Sequence, residues 1–174
     1  MNLFVPSPCP EQSARGLDDK RVGKLLMEAC QMMSLAVRST GGDYPFLTNG
    51  VAYMNHPVSI WVRASQDNYD WTWEHAIWLR EEYESAYGRI HASAERLPGL
   101  RSVRRCLPAG PLLPFQNSAR NGQFDFTYLP VPKSYRHYLL SRWRHDKRPV
   151  TFNNREIPSW VPTYFFESAT RQCA

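Results

Sequence analysis

One stretch, LDDKRVGKLLMEACQMM (residues 17–33), carries the residue types of acid–base chemistry in a single line. At helical spacing Leu17, Arg21, Lys24, Glu28 and Gln31 share one stripe, while Val22, Leu25, Leu26, Ala29, Cys30 and Met33 fill most of the remaining surface. A carboxylate among apolar neighbours and one turn from a lysine feels opposed influences. Desolvation favours its neutral form, and nearby cations favour its charged form. A group held between the two is suited to acid–base work. The same pattern also describes a solvated face, in which Lys24 and Glu28 form a pair worth roughly a few tenths of a kcal/mol.

Two more constellations could meet a polyanion. In NHPVSIWVR (residues 55–63), Asn55 and His56 precede a helix begun by Pro57, and helix N-termini bind anions, phosphates included. Equally, Asn55 caps that helix and His56 is a turn residue. In KSYRHYLLSRWRHDKR (residues 133–148), Lys133, Arg136, Arg142, Arg144, Lys147 and Arg148 face a single acid, Asp146, with Tyr135, Tyr138 and Trp143 interleaved. Cations neutralise phosphates and aromatic faces stack on exposed bases. An amphipathic helix with a basic outer face and an aromatic inner face has the same sequence. RSVRR at 101–105 adds a second basic cluster and favours a nucleic-acid contact. His56, His75, His91, His137 and His145 are scattered, and Cys9, Cys30, Cys106 and Cys173 form no C-x-x-C, so no metal site is expected. The motifs of phosphate-binding loops, dinucleotide folds, serine hydrolases and zinc proteases are absent, so no nucleotide or other cofactor is expected.

These residues need elements to hold them. Three prolines within residues 1–12 make that segment extended or looped. A first helix is expected over about 13–38, capped by Ser13 or Asp18, and STGGDYPFLTNG (39–50) reads as a loop. A second helical region spans 58–92, either bent or restarted at a cap on Ser65 or Asp67, with Ala76, Leu79, Tyr83, Ala86 and Ile90 as its buried stripe. Residues 97–132, rich in Pro, Gly and Asn, are expected to be irregular with at most short elements. A third helix covers about 133–144, and 149–174 forms an aromatic, proline-punctuated strap. The sum is an all-α, compact single-domain helical bundle over 1–174, with long loops and an aromatic C-terminal strap; 174 residues suffice for one real core.

Bulk properties fit. The chain is 43% hydrophobic and 21% charged, with six Trp and nine Tyr, a net charge of +5 and a pI near 9.2, a balance compatible with a polyanionic partner. No apolar run approaches the roughly 20 residues that span a bilayer, and the N-terminus lacks a secretory pattern. Scattered cysteines without such a signal imply reduced thiols. A monomeric cytoplasmic protein without a membrane contact is the expectation.

MNLFVPSPCPEQSARGLDDKRVGKLLMEACQ, followed by a loop and NHPVSIW, resembles the pyrimidine dimer DNA glycosylases of the endonuclease V type, from phages and bacteria. The shared pattern is M-N-x-F, then L-D-x-[KR]-R-x-[GV]-K with Glu and Gln following, then N-H-P before a helix. YRHYL, RW and REIPSW also resemble viral relatives. The resemblance covers most of residues 1–90 and thins between 97 and 130. It implies a compact helical bundle acting on double-stranded DNA, an N-terminal α-amine that attacks the sugar C1′, and an assisting glutamate in the first helix. By position Glu28 matches that glutamate, with Arg21, Lys24 and Gln31 around it in a DNA cleft. The dimer-excising enzymes begin with a small residue exposed by methionine removal, whereas here the bulkier Asn2 follows Met1. Three routes result: the Met1 α-amine is the nucleophile, Lys24 or Lys20 replaces it, or Glu28 activates water. The implied function is a DNA glycosylase, with or without AP-lyase activity, that excises a damaged or modified pyrimidine. A carboxylate would stabilise the oxocarbenium-like sugar, and Trp61 or Tyr44 would receive the flipped base. The alternatives are a phage-type DNA-binding or base-modifying protein without glycosylase activity, and an interaction module that uses its aromatic strap.

Overall fold

Pro6, Pro8 and Pro10 deny the first residues a ladder of backbone donors, and residues 2–9 accordingly cross the protein as an irregular strap. The structure is a computed structural model that describes residues 2–42 and 53–166. Met1, Tyr44 and most of the loop expected at 39–50 lie outside the described residues. Behind the strap come α1 (Pro10–Arg15), α2 (Asp19–Ser39), α3 (Pro57–Ala64), α4 (Gln66–Tyr87), α5 (Leu97–Ser102) and α6 (Val131–His145), with 3₁₀ turns at Ala92–Arg96 and Arg104–Cys106. Among the described residues the only β pairing is one isolated bridge between Arg120 and Asp125. The all-α class holds.

The boundaries differ from expectation for local reasons. The first helix is two: the chain leaves α1 at Gly16 and restarts after Asp18, which takes the extended conformation of an N-cap. The second region also divides. Ser65 is extended (φ −153°, ψ 160°), and its hydroxyl accepts from the Asn68 N–H at 3.2 Å, a cap for α4. Gly88, left-handed at φ 63°, ends α4 after Tyr87. Ile90 therefore falls beyond the helix and is 63% exposed, whereas Ala76, Leu79 and Ala86 are buried as expected.

The core gathers around α2, whose Val22, Leu25, Leu26, Ala29, Met32, Met33, Ala36 and Val37 are fully buried. Gly23 lets α4 approach: a Cβ there would stand 2.8 Å from Tyr83 Cε2. This offsets the roughly 1 kcal/mol that a helix-interior glycine costs. Cys30 is core filler, its thiol pushed up to about 12 by burial against the opposing pull of Arg96. α6 does not close a helix bundle in the expected way. It lies on the N-terminal strap, with Phe4 against Tyr135 (5.7 Å) and Tyr138 (5.5 Å). It also carries the C-terminal strap, Trp160 stacking on Trp143 at 5.5 Å.

Buried polar groups fix the straps. The start of α2 holds two buried acids. Asp18 accepts from Arg21 (2.9 and 3.0 Å) and from the Trp143 indole (2.6 Å). Asp19 accepts from Arg155 (3.0 Å) and from the Asn153 N–H (2.9 Å). On α4, His75 is fully buried, with Nδ1 3.1 Å from the Pro10 carbonyl and Nε2 3.3 Å from the Leu3 carbonyl. A neutral imidazole has one N–H to give, so the cation would satisfy both carbonyls. Burial wins over that gain and lowers His75 to about 4.

That shift makes stability depend on pH. The unfolded imidazole binds a proton near its ordinary 6.5 and the folded one only near 4. Folding stability is therefore intact above pH 6.5 and is lost as pH falls between those values. His56 and His91, both held low by burial, act in the same direction. Urea unfolding at pH 7.5 and pH 5 should differ by about 2 kcal/mol or more, with the lower pH less stable. Equal stabilities would mean that His75 is charged in the folded protein.

Candidate active site around Glu28

Glu28 sits midway along α2 and is 9% exposed. Its Oε2 accepts a hydrogen bond from the backbone N–H of Asn2 at 2.8 Å. Its Oε1 lies 3.7 Å from Lys24 Nζ, an ion pair beyond hydrogen-bonding distance, and the lysine side chain is 60% exposed. The principal partner of the carboxylate is thus a neutral amide, with a solvated cation beside it.

Asn2 is held from several sides. Its Oδ1 accepts from the Tyr135 hydroxyl (2.8 Å) and from the N–H groups of Leu3 (2.9 Å) and Phe4 (3.3 Å). Its Nδ2 donates to the Ser118 carbonyl at 3.1 Å. Tyr135 is itself buried, and its oxygen accepts from the Ser118 N–H at 3.1 Å. Sequence reasoning missed this clamp. M-N-x-F was in view, but Asn2 contacts residues 116 and 133 positions away, and no spacing signals such a pairing.

His56 caps α3, with Nδ1 accepting from the Val58 N–H at 3.2 Å. With that nitrogen engaged as an acceptor, the neutral ring carries its proton on Nε2. Burial lowers His56 below its ordinary value, while the Glu28 carboxylate acts in the opposite sense across the gap between α2 and α3. Asn55 is exposed beside it, and Gln31 is half-buried one turn beyond Glu28.

Other expected members stand elsewhere. Arg21 does not face Glu28: it is 5% exposed and held between Asp18 and Asp146, the latter at 2.8 Å. Burial is the largest single influence on the Asp146 carboxyl and acts upward, but Arg21 and Lys20 together outweigh it and hold the group below the usual range. Trp61 is 3% exposed, packs on Trp71 and Phe115, and donates to the Leu113 carbonyl at 3.3 Å, so its ring faces are core. In RSVRR, Arg101 pairs with Asp70 and lies over Trp73, and Arg104 donates to Asp70 (2.6 Å) and Gln66 (2.6 Å). That cluster is largely neutralised within the protein.

On α6 the aromatics and the cations part company. Tyr135, Tyr138 and Trp143 are buried, while Lys133, Arg144, Lys147 and Arg148 are exposed and Arg142 is half-exposed. Arg136 is drawn inward, its Nε donating to the Pro6 carbonyl at 2.9 Å and its guanidinium lying 5.9 Å from the Trp160 ring centre. A cavity of about 610 Å³ opens between α1, the end of α4 and the C-terminal strap, walled by Arg15, Glu82, Arg155, Glu156 and Trp160, with Arg136 its one wall from α6. Glu28 is not among its walls. Among the described residues no group of His, Cys, Asp and Glu could hold a metal ion, and no helix is long and apolar enough to cross a membrane.

No curated protein and no solved structure matches the chain. The family model of pyrimidine dimer DNA glycosylases matches residues 1–94, from the N-terminal strap through α4. That span holds Asn2, Lys24, Glu28 and His56, whereas Ser118 and Tyr135 lie beyond it. The match covers more than half of the sequence, and the chain belongs to the pyrimidine dimer DNA glycosylase family.

Proposed function

We propose that the protein is a DNA N-glycosylase acting on a damaged or modified pyrimidine, with Glu28 as its acid–base and electrostatic residue. One observation carries this reading beyond family membership. Glu28 is a nearly buried carboxylate in the matched region whose ion-pair partner, Lys24, is 60% exposed and 3.7 Å away, whereas Asp18 at the N-cap and Asp19 in the first turn of α2 are paired with buried arginines. As the glycosidic bond breaks, its electron pair leaves with the base and positive charge grows at C1′. A carboxylate in a poorly solvated site stabilises that charge.

Three amines are candidates for attack on C1′: Lys24 Nζ, the Met1 α-amine and, on loss of Met1, that of Asn2. Lys24 Nζ is 3.7 Å from the carboxylate. The α-amine of Met1 is three covalent bonds from the Asn2 nitrogen. That nitrogen is an amide, so its lone pair is delocalised and unreactive; loss of Met1 would turn it into a primary amine against Glu28. Borohydride trapping on duplexes carrying modified pyrimidines, followed by peptide mass mapping, separates Met1, Asn2 and Lys24. Release of base without an adduct would assign the attack to water. The competing reading, a DNA-binding protein without excision activity, is favoured by the filled surroundings of Trp61, which leave no base-stacking face there.

Contact with DNA is assigned to Arg142, Arg144, Lys147 and Arg148 at the end of α6, with Asn55, His56 and Gln31 nearer the reacting sugar. Changing Arg142, Arg144 and Arg148 together to Ala should weaken duplex binding and flatten its salt dependence by a slope of roughly one per lost contact. Unchanged affinity with an unchanged slope would make this patch a solvated face.

Glu28→Gln tests the chemistry. The glutamine carbonyl still accepts from Asn2, but the charge and the proton transfer are gone. Single-turnover base release should fall by about 10²–10⁴-fold, with duplex affinity equal or higher. An unchanged rate in a fully folded variant removes Glu28 from the mechanism. A rate that falls only with the folded fraction, alongside a lowered thermal midpoint, makes it structural.

A further inference from the structure

The carboxylate at the centre of the site is reached by a relay that begins on a helix outside the region matching the family. Tyr135 lies on α6 and is 1% exposed. A phenol has one hydrogen to give. The Asn2 Oδ1 stands 2.8 Å from it and the Gln116 carbonyl 3.2 Å, so the shorter contact takes the proton. The same oxygen accepts from the Ser118 N–H. Burial raises Tyr135 to about 12, so the hydroxyl remains a donor throughout the neutral range. Asn2 Nδ2 is meanwhile tied to the Ser118 carbonyl. The amide side chain of Asn2 is thus fixed at both ends, and the backbone N–H of the same residue points at Glu28 Oε2.

The segment has reason to need such a clamp. Phe4, two residues on, has a positive φ of 46°, a left-handed conformation that a side chain with a Cβ disfavours. Strain of that kind persists only where surrounding contacts impose it. Tyr135 supplies two of them: its ring packs on Phe4, and its hydroxyl holds Asn2.

We propose that Tyr135 is a positioning residue for the reaction at Glu28. Its hydroxyl, through Asn2 Oδ1, keeps the Asn2 N–H on the carboxylate and so fixes both the orientation of Glu28 and the approach of whatever amine the first residues bring. The inference rests on the reading of Glu28 as the reacting acid. It goes further in placing a determinant of that site on α6, beyond residues 1–94. Tyr135 does not touch the substrate; it acts through Asn2.

The test compares Tyr135→Phe, Asn2→Ala and the double variant in the full chain, with Tyr69→Phe as control. Tyr69 is another buried tyrosine, whose hydroxyl donates to the Leu100 carbonyl at 2.9 Å, away from Asn2. Each tyrosine variant should lower the thermal midpoint by about 2–4 °C for each hydrogen bond lost, and Tyr135→Phe gives up two, the one to Asn2 and the one from the Ser118 N–H. Only Tyr135→Phe should also slow single-turnover base release, by about 10–100-fold with duplex affinity unchanged, since small misplacements cost that much in rate. Its loss and that of Asn2→Ala should not add in the double variant, because both cut one relay. A second readout needs no activity. In the parent, the Asn2 amide proton resonance should move with protonation of the Glu28 carboxylate, a response absent from Glu28→Gln, and Tyr135→Phe should shrink it. A full response in Tyr135→Phe overturns the proposal, as does parental base release by a folded Tyr135→Phe. A shrunken response in a protein that releases no base from any substrate upholds the clamp and refutes the glycosylase reading instead.

Discussion

A proline-punctuated strap at the start of the chain sets a demand that much of the structure answers. Its carbonyls need donors, and regular structure does not supply them. Side chains do. His75 stands against the carbonyls of Leu3 and Pro10, the Ser13 hydroxyl donates to Phe4, Arg136 to Pro6, and the Trp71 indole to Pro8. The donors come from α1, α4 and α6. The demand explains why α4 buries a histidine on a face that would otherwise be apolar. It also explains why α6 lies on the strap rather than on another helix. The strap ends at Asn2, so the geometry at Glu28 inherits its accuracy from this set of contacts.

A second constraint comes from the acidic start of α2. Adjacent buried carboxylates at Asp18 and Asp19 gain from the helix dipole, but taking two like charges out of water requires cationic partners. Arg21 and Arg155 are those partners, and Asp146 completes the first pair from the end of α6. Arg155 carries the C-terminal strap with it, also donating to Glu82 at 2.6 Å and to the Leu17 carbonyl at 2.5 Å. Breaking such a pair by removing one partner typically costs about 3–5 kcal/mol. Arg21, expected in the DNA cleft, is therefore spent on closing the fold, as is Arg155.

Local signals in the sequence carried what local physics decides. The helical period placed α2, α4 and α6, Ser65 proved to be the cap where Ser65, Asp67 or a continuous bend were open, and 97–132 is irregular apart from α5, one 3₁₀ turn and the first residues of α6. What sequence spacing hides is long-range pairing. Arg21 shares a helical face with Glu28, yet Asp146, 125 positions away, removes it from that face. Trp61 has the side chain of a base-stacking residue, yet Phe115 and Trp71 cover it. Asn2 gave no sign of its role, because its partners Ser118 and Tyr135 become neighbours only once α6 is laid across the strap. Glu28 stands out in the sequence because its oddity is local: a carboxylate in an apolar run.

The acids at and along α2 differ in what occupies their oxygens. Asp18 accepts two bonds from Arg21 and one from Trp143, and Asp19 accepts from Arg155 and Asn153. A carboxylate offers about four lone-pair sites, and charge-assisted bonds of this kind fix its position and fill its acceptor capacity. Glu28 has one neutral amide on one oxygen and a lysine 3.7 Å from the other. Acceptor capacity remains on Glu28, and the cation beside it is exposed and itself an amine. The polar stripe of α2 thus divides along its length: the Arg21 end is locked into the fold, Lys24 reaches into solvent, and Glu28 alone combines near burial with unspent capacity to accept a proton or to stabilise a growing positive charge.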